Sequence, residues 1–152
     1  MKKIVSYILL IVWMIFIFML SHQTSEVSGG ASGSLLYDTL SFIYGIFGLN
    51  TANLYDLIEI IHEPIREIMH ALEYFILGIL AINALYQSGV NKNIVLYSIL
   101  FCLIYSISDE VHQLFISGRT FQFLDLFMDF IGYMIGIFIT QFIIKITFKK
   151  KV

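Results

Sequence analysis

The chain has 152 residues, of which 59% are hydrophobic and 13% are charged, with a formal net charge of −2. Soluble domains carry about 25% charged residues, so this composition excludes an ordinary soluble enzyme and predicts a membrane protein. The length suits one compact helical bundle over residues 1–152 rather than two domains. The single cysteine, Cys102, lies in an apolar run, which excludes an internal disulfide and predicts a packing role.

Four apolar stretches are long enough to cross a bilayer as helices, which takes roughly 17–25 residues each. The first, IVSYILLIVWMIFIFML, is followed by no small-residue cleavage pattern, so we expect a retained span and not a cleaved signal peptide. Only helices and closed barrels satisfy their backbone in lipid, and the unbroken apolar runs exclude a barrel. The sequence therefore predicts an all-α membrane protein, a bundle of about four transmembrane helices at about 4–20, 65–86, 93–115 and 121–147.

Residues 21–64 form a long segment between spans 1 and 2. SHQTSEVSGGASGS (21–34) is polar and glycine-rich, which predicts a loop. The apolar stretch 34–49 is short for a span, so an interfacial helix, a re-entrant segment and a fifth span all stay open. Apolar residues at 54, 57, 58 and 61 predict an amphipathic helix on the membrane surface, with Pro64 at a kink or at the start of the second span.

The basic residues indicate how the spans are oriented. Seven of the nine are lysines at the N-terminus, between spans 2 and 3 and at the C-terminus, all on one side of a four-helix arrangement. The positive-inside rule makes this side cytoplasmic, so we expect a multi-pass protein with both termini in the cytoplasm. The two arginines, Arg66 and Arg119, and all eleven acidic residues fall at or near the outer side.

Ionisable residues recur at helical spacing where spans 2, 3 and 4 approach that outer side. They are Arg66, His70 and Glu73 in the second span, Asp109, Glu110, His112 and Gln113 in the third, and Asp125 and Asp129 in the fourth. Residues three or four apart share a face of a helix, so three polar stripes should meet at one level. Gly132 and Gly136 continue the last stripe with a spacing that permits close helix approach. Charges inside a bilayer cost about 2.5–3.5 kcal/mol each near the midplane, so the cluster predicts a functional site.

Several roles stay open for this cluster. A histidine beside a carboxylate can act as a general base, and arginines can bind a lipid phosphate or pyrophosphate. A divalent metal is not favoured, because no HExxH or similar spacing is present. The plainer interpretation makes His70 an interhelical hydrogen-bond donor and Asp125 a charge at a helix N-terminus. It also assigns to solvent or to the interface His22, His62, Glu59, Glu63 and Glu67.

The polar stripes carry a resemblance to the VanZ-like family of small bacterial membrane proteins. The similar motifs are REIMHALEY (66–74), SDEVHQLFISGR (108–119) and DLFMDFIGYMIG (125–136), with LSHQTS (20–25) after the first span. Two positions depart from the family pattern: Ser117 stands where proline is frequent, and Asp129 where a small polar residue is common. The resemblance implies an association with resistance to glycopeptide antibiotics, especially the lipidated teicoplanin type. It implies no settled reaction.

We therefore expect a protein of the bacterial cell membrane whose outer-facing pocket acts on or binds a lipid-linked envelope molecule or the antibiotic. As an enzyme it would be an intramembrane or interfacial hydrolase or transferase; the alternative is a non-catalytic binding or scaffold protein. A transporter is disfavoured because the polar groups crowd one side, and no nucleic acid partner is expected. The predicted catalytic residues are Glu110, His112, Asp109, His70 and Glu73. The predicted ligand-binding residues are Arg66, Gln113, Arg119, Asp125 and Asp129.

Overall fold

The structure is a computed structural model that describes residues 2–48, 50 and 54–149. These ranges fold into five α-helices and contain no β-strand. The helices are α1 (Lys2–Ser21), α2 (Ser25–Phe47), α3 (Leu54–Gln87), α4 (Ile94–Gln113) and α5 (Phe123–Lys149). The all-α prediction is confirmed. Lys150 and Lys151, two of the residues used to predict orientation, lie outside the described ranges.

Four of these helices, α1, α3, α4 and α5, are long and apolar enough to cross a membrane. Hydrogen bonds show how they are arranged. The Trp13 indole N–H donates to the Glu73 carbonyl at 2.9 Å, and the Tyr105 hydroxyl donates to the Met14 carbonyl at 2.6 Å. Thus α1 lies between α3 and α4, with successive spans running in opposite directions. Large apolar side chains remain exposed along all four, as lipid-facing surfaces require.

The segment between the first two spans differs from its prediction in two ways. The loop expected at 21–34 is wrong from Ser25 onward, because α2 begins there despite its glycines and packs against α3. The helix start that was left open at Pro64 is also wrong: α3 continues through this residue and joins the amphipathic segment to the second span. Proline fits helical φ and removes one hydrogen bond, and the turns on both sides hold the helix. Among the described residues, α2 is not one of the candidate spans, so a fifth span at 34–49 is not supported.

The closest helix contact joins α3 to α5 at two glycines. A Cβ atom added at Gly132 would overlap the carbonyl oxygen of Ala71, and one added at Gly136 would overlap that of Phe75. The predicted close approach is therefore confirmed. The two helices run in the same direction, and the contact sets the α3 stripe beside the α5 stripe.

The apolar core lies between the four spans, toward the middle of the bundle. Its fully buried members include Ile17, Leu77, Ile82, Cys102 and Ile137. The packing role predicted for Cys102 is confirmed, since its side chain is buried within this cluster. Polar residues collect at one end of the core, where α1 and α4 end and α5 begins. This end is named the polar end below.

Candidate functional site

A cavity of about 340 Å³ opens at the polar end between α1, α2 and α3. Its apolar wall comes from Leu20, Leu35, Leu36, Ile65 and Met69. Its polar lining comes from Ser21, Gln23, Thr39, His62, Arg66, His70, Glu73 and Arg119. Four of the residues predicted to form the site, Arg66, His70, Glu73 and Arg119, therefore face one space.

Three of these four come from a single face of α3. Arg66, His70 and Glu73 are spaced by four and three residues, so they project in one direction. Glu73 is held in place by its backbone, because its carbonyl accepts the indole N–H of Trp13 from α1. The guanidinium of Arg66 donates from Nη2 to Glu67 Oε1 at 3.3 Å and lies 4.0 Å from Asp125 Oδ1. Two carboxylates thus compensate the charge of Arg66.

Arg119 reaches the cavity from the connection between α4 and α5. Gly118 has a φ of +76°, a conformation that side chains rarely adopt, and turns the chain just before Arg119. The Arg119 backbone N–H closes this turn on the Ile116 carbonyl at 3.1 Å. Its Nε donates to the Gln23 carbonyl at 3.3 Å. Among the described residues, no carboxylate oxygen lies within 4.0 Å of this guanidinium, in contrast to Arg66.

His70 has a carboxylate behind it. Its Nδ1 lies 3.9 Å from Asp129 Oδ1, a distance that short movements of either side chain would convert to a hydrogen bond. The other carboxylate oxygen of Asp129 accepts the Ser106 hydroxyl at 2.6 Å. His70 therefore stands between the cavity and a fixed carboxylate, which is the arrangement by which proteins orient a histidine.

Four carboxylates lie behind the cavity and are here named the carboxylate layer: Asp109, Glu110, Asp125 and Asp129. Each is at most 5% exposed, and none of them lines the cavity. Gln113, also predicted as a ligand-binding residue, is equally buried, and its Nε2 lies 3.5 Å from Asp109 Oδ2. The same oxygen of Asp109 accepts the Ser21 hydroxyl at 2.7 Å, which ties α1 to α4.

Glu110 has a similar structural contact. Its Oε2 accepts the backbone N–H of Gln122 at 3.1 Å. Gln122 directly precedes α5, and its carbonyl accepts the first turn's Leu126 N–H at 3.3 Å. Glu110 therefore fixes the point at which α5 begins. Asp125 lies in the first turn of that helix, which agrees with the prediction of a negative charge at a helix N-terminus.

His112 lies away from the cavity, at the edge of the polar end. Its Nε2 is 3.2 Å from His22 Nδ1, with the two rings inclined by 17°. Its other neighbour is the ring of Phe18, whose centroid is 4.5 Å away. The pair joins the last turn of α4 to the residue just after α1, and one of the two nitrogens must carry the proton.

Three residues of the polar end differ from their sequence interpretation. The solvated face predicted for Glu67 is wrong, because Oε1 bonds Arg66 and Oε2 is buried. His62 was expected at the solvent or the interface, yet it is half-buried on α3 and lines the cavity. Ser106 was not predicted as a site residue, and its bond to Asp129 has no signal in the sequence beyond its place on the polar face of α4. The side chain of Glu63 lies outside the described part of the chain.

In the described ranges, no group of three or more His, Cys, Asp or Glu side chains is arranged to hold a metal ion. Asp109, Glu110 and Asp129 bond hydroxyl, amide and backbone donors, and Asp125 lies 4.0 Å from the Arg66 guanidinium. A protein-family model described as VanZ/LLP1 matches residues 6–145 of the chain. Comparison with curated proteins and with solved structures gives no match.

Proposed function

The chain belongs to the VanZ/LLP1 family, and from this premise we propose that its cavity binds a lipid-linked molecule of the bacterial envelope. By this binding the protein lowers the susceptibility of the cell to lipoglycopeptides of the teicoplanin type. The link to resistance comes from the family resemblance. The link to a lipid-linked ligand comes from the cavity.

One observation carries the proposal: the cavity joins two arginines to an apolar wall. Arg66 and Arg119 stand on its polar side, and Leu35, Leu36 and Met69 on its apolar side. A guanidinium binds phosphate or carboxylate with paired, charge-assisted hydrogen bonds. An apolar wall next to it fits a hydrocarbon chain. An amphiphile with an anionic head satisfies both sides at once.

The polar end faces the outside of the cell in this proposal, with both termini in the cytoplasm. Lys2, Lys3, Lys92 and Lys145 lie at the opposite end of the bundle, and all four are exposed. This distribution supports the orientation, because lysines mark the cytoplasmic side. Envelope precursors and antibiotic meet at the outer surface, where the cavity would then lie.

Catalysis is a second candidate function, favoured by the placement of His70. His70 lines the cavity with its Nδ1 3.9 Å from Asp129 Oδ1, and Glu73 supplies another acid/base group there. In a hydrolase or transferase, His70 would take the proton of a water or alcohol as its oxygen attacks the substrate, and Glu73 in its neutral acid form would give its proton to the leaving group as the old bond breaks. Asp109, Glu110 and His112 do not line the cavity, and each bonds another protein group, so in this proposal they support positioning rather than proton transfer.

The proposal is tested by substituting Arg119→Gln and measuring susceptibility to teicoplanin in a sensitive bacterial host. We expect the variant to lose protection while its level in the membrane stays normal. Lys92→Gln is the matched control, because it removes the same charge from an exposed position at the opposite end. Full protection by Arg119→Gln at normal levels would contradict the proposal.

Binding and catalysis are distinguished by whether the protein changes the mass of its ligand. Purified protein is incubated with extracted envelope lipids, and their masses are compared with and without the His70→Ala substitution. A product formed by the parent and absent with His70→Ala supports catalysis. Retained lipid with unchanged mass supports the non-catalytic alternative.

A further inference from the structure

We infer that the ligand of the cavity is a membrane lipid with a phosphate head group, which enters sideways from the bilayer between α2 and α3. This inference rests on the proposed function and names its ligand class. Three properties of the cavity support the inference: its charge, the position of its opening and its size.

The charge of the cavity favours a phosphate. Arg119 donates from Nε to the Gln23 carbonyl, and among the described residues no carboxylate oxygen lies within 4.0 Å of its guanidinium. Arg66 is paired with Glu67 and Asp125, so Arg119 supplies the attraction for an anionic head group, and Glu73 is the one carboxylate among the described residues that line the space. The paired N–H donors of a planar guanidinium match the oxygens of a phosphate. They disfavour zwitterionic lipids, because the ammonium group of such a lipid would lie near the arginines.

The opening of the cavity lies on an apolar surface. Leu35 of α2 and Met69 of α3 both line the cavity, yet they are 67% and 50% exposed. Phe42, two turns along α2 from Leu35, and Ile68, next to Met69 on α3, are also exposed, at 70% and 53%. An opening lined by exposed apolar side chains is suited to contact with lipid and not with water. A lipid can therefore reach Arg119 with its tail still in the bilayer.

The size of the cavity limits what can enter. About 340 Å³ is near the lower end of the roughly 300–1,000 Å³ of sites that bury a drug-sized ligand. It holds the volume of roughly ten water molecules, enough for a phosphate and the first part of a hydrocarbon chain. The cavity is open, so this volume bounds the part of the ligand that lies inside and not the whole molecule.

Native mass spectrometry of the full chain, released from nanodiscs, tests the inference. The nanodiscs contain phosphatidylcholine together with either phosphatidic acid or a polyprenyl phosphate. We expect each phosphate lipid to be retained about ten- to a hundredfold above its share of the bilayer, since charge-assisted hydrogen bonds have that effect on affinity. Arg119→Gln should abolish this enrichment, and Lys92→Gln should preserve it.

Met69→Trp supplies an independent variant, because it fills the opening from a half-exposed position without touching a charge. It should also reduce the enrichment, and it decides the question if Arg119→Gln does not fold. Inorganic phosphate should compete poorly, since it lacks the tail. Equal retention of phosphatidylcholine, or full displacement by inorganic phosphate, would overturn the inference.

The outcome is distinguishable from failure of the proposed function. If Arg119→Gln removes resistance but phosphate lipids are not enriched, this inference fails and the proposed function stands. If phosphate lipids are enriched but Arg119→Gln still protects cells, the cavity binds lipid and the proposed link to resistance fails.

Discussion

The polar end contains two sets of ionisable residues that look alike in the sequence and differ in the structure. Arg66, His70, Glu73 and Arg119 face a cavity. The carboxylate layer lies directly behind them and is at most 5% exposed, and three of its members, Asp109, Glu110 and Asp129, accept hydroxyl and backbone donors that tie α1, α4 and α5 together. The difference teaches that costly charges in a membrane helix can serve the frame of a site as well as its chemistry. The cavity set should control function, and the layer should control stability.

The largest effect is expected at the contact that holds both sets together. Gly132→Ala would push a methyl group into the carbonyl of Ala71 and separate α5 from α3. Overpacking of this kind costs about 1–3 kcal/mol or more. The variant should lose thermal stability in detergent and, as a consequence, its function. Gly45→Ala on α2 is the control, because nothing lies within 4 Å of its added Cβ; an equal loss in both variants would contradict the close-approach account.

An intermediate effect is expected in the carboxylate layer. Glu110→Ala leaves the buried N–H of Gln122 without its acceptor, which should lower the free energy of unfolding by about 1–3 kcal/mol. Glu110→Gln keeps an acceptor oxygen and should be much milder. The two variants are compared by chemical denaturation in micelles. A loss of function in Glu110→Gln with unchanged stability would instead place Glu110 in the chemistry.

The smallest effect is expected at the edge of the polar end. The hydrogen bond between His22 and His112 is partly solvated, so its coupling should be about 0.5–1.5 kcal/mol. A double-mutant cycle with His22→Ala and His112→Ala measures this coupling in thermal stability. Additive losses from the two substitutions would show that the 3.2 Å contact contributes nothing.

Much of this architecture could be predicted from the sequence, because few backbone structures satisfy their hydrogen bonds inside a bilayer. Apolar runs predicted four spans, although the second begins well before residue 65, and the spacing of Gly132 and Gly136 predicted a close helix approach without naming its partner, which is α3. Composition failed at 25–34, where α2 forms despite the cost of glycine in a helix. The helix start left open at Pro64 is also absent, because α3 continues through this residue.

The site was predicted as an outer-facing pocket, but not which residues line it. Helical periodicity places Glu110 and His70 on polar faces without saying what packs against each face. The contacts with Gln122 and Ser21 bury Glu110 and Asp109, and both partners come from outside the three motifs' helical stripes. Arg119 was easier to predict, since it is one of only two basic residues expected on the outer side.

The central claim, that function belongs to the cavity set, is tested most directly by comparing two histidines. His70→Ala and His112→Ala remove the same side chain from the same end of the bundle, one inside the cavity and one outside it. Teicoplanin susceptibility is measured in cells whose membranes contain equal amounts of each variant. The account predicts that His70→Ala loses protection and His112→Ala keeps it. Protection that survives His70→Ala and disappears with His112→Ala would contradict it.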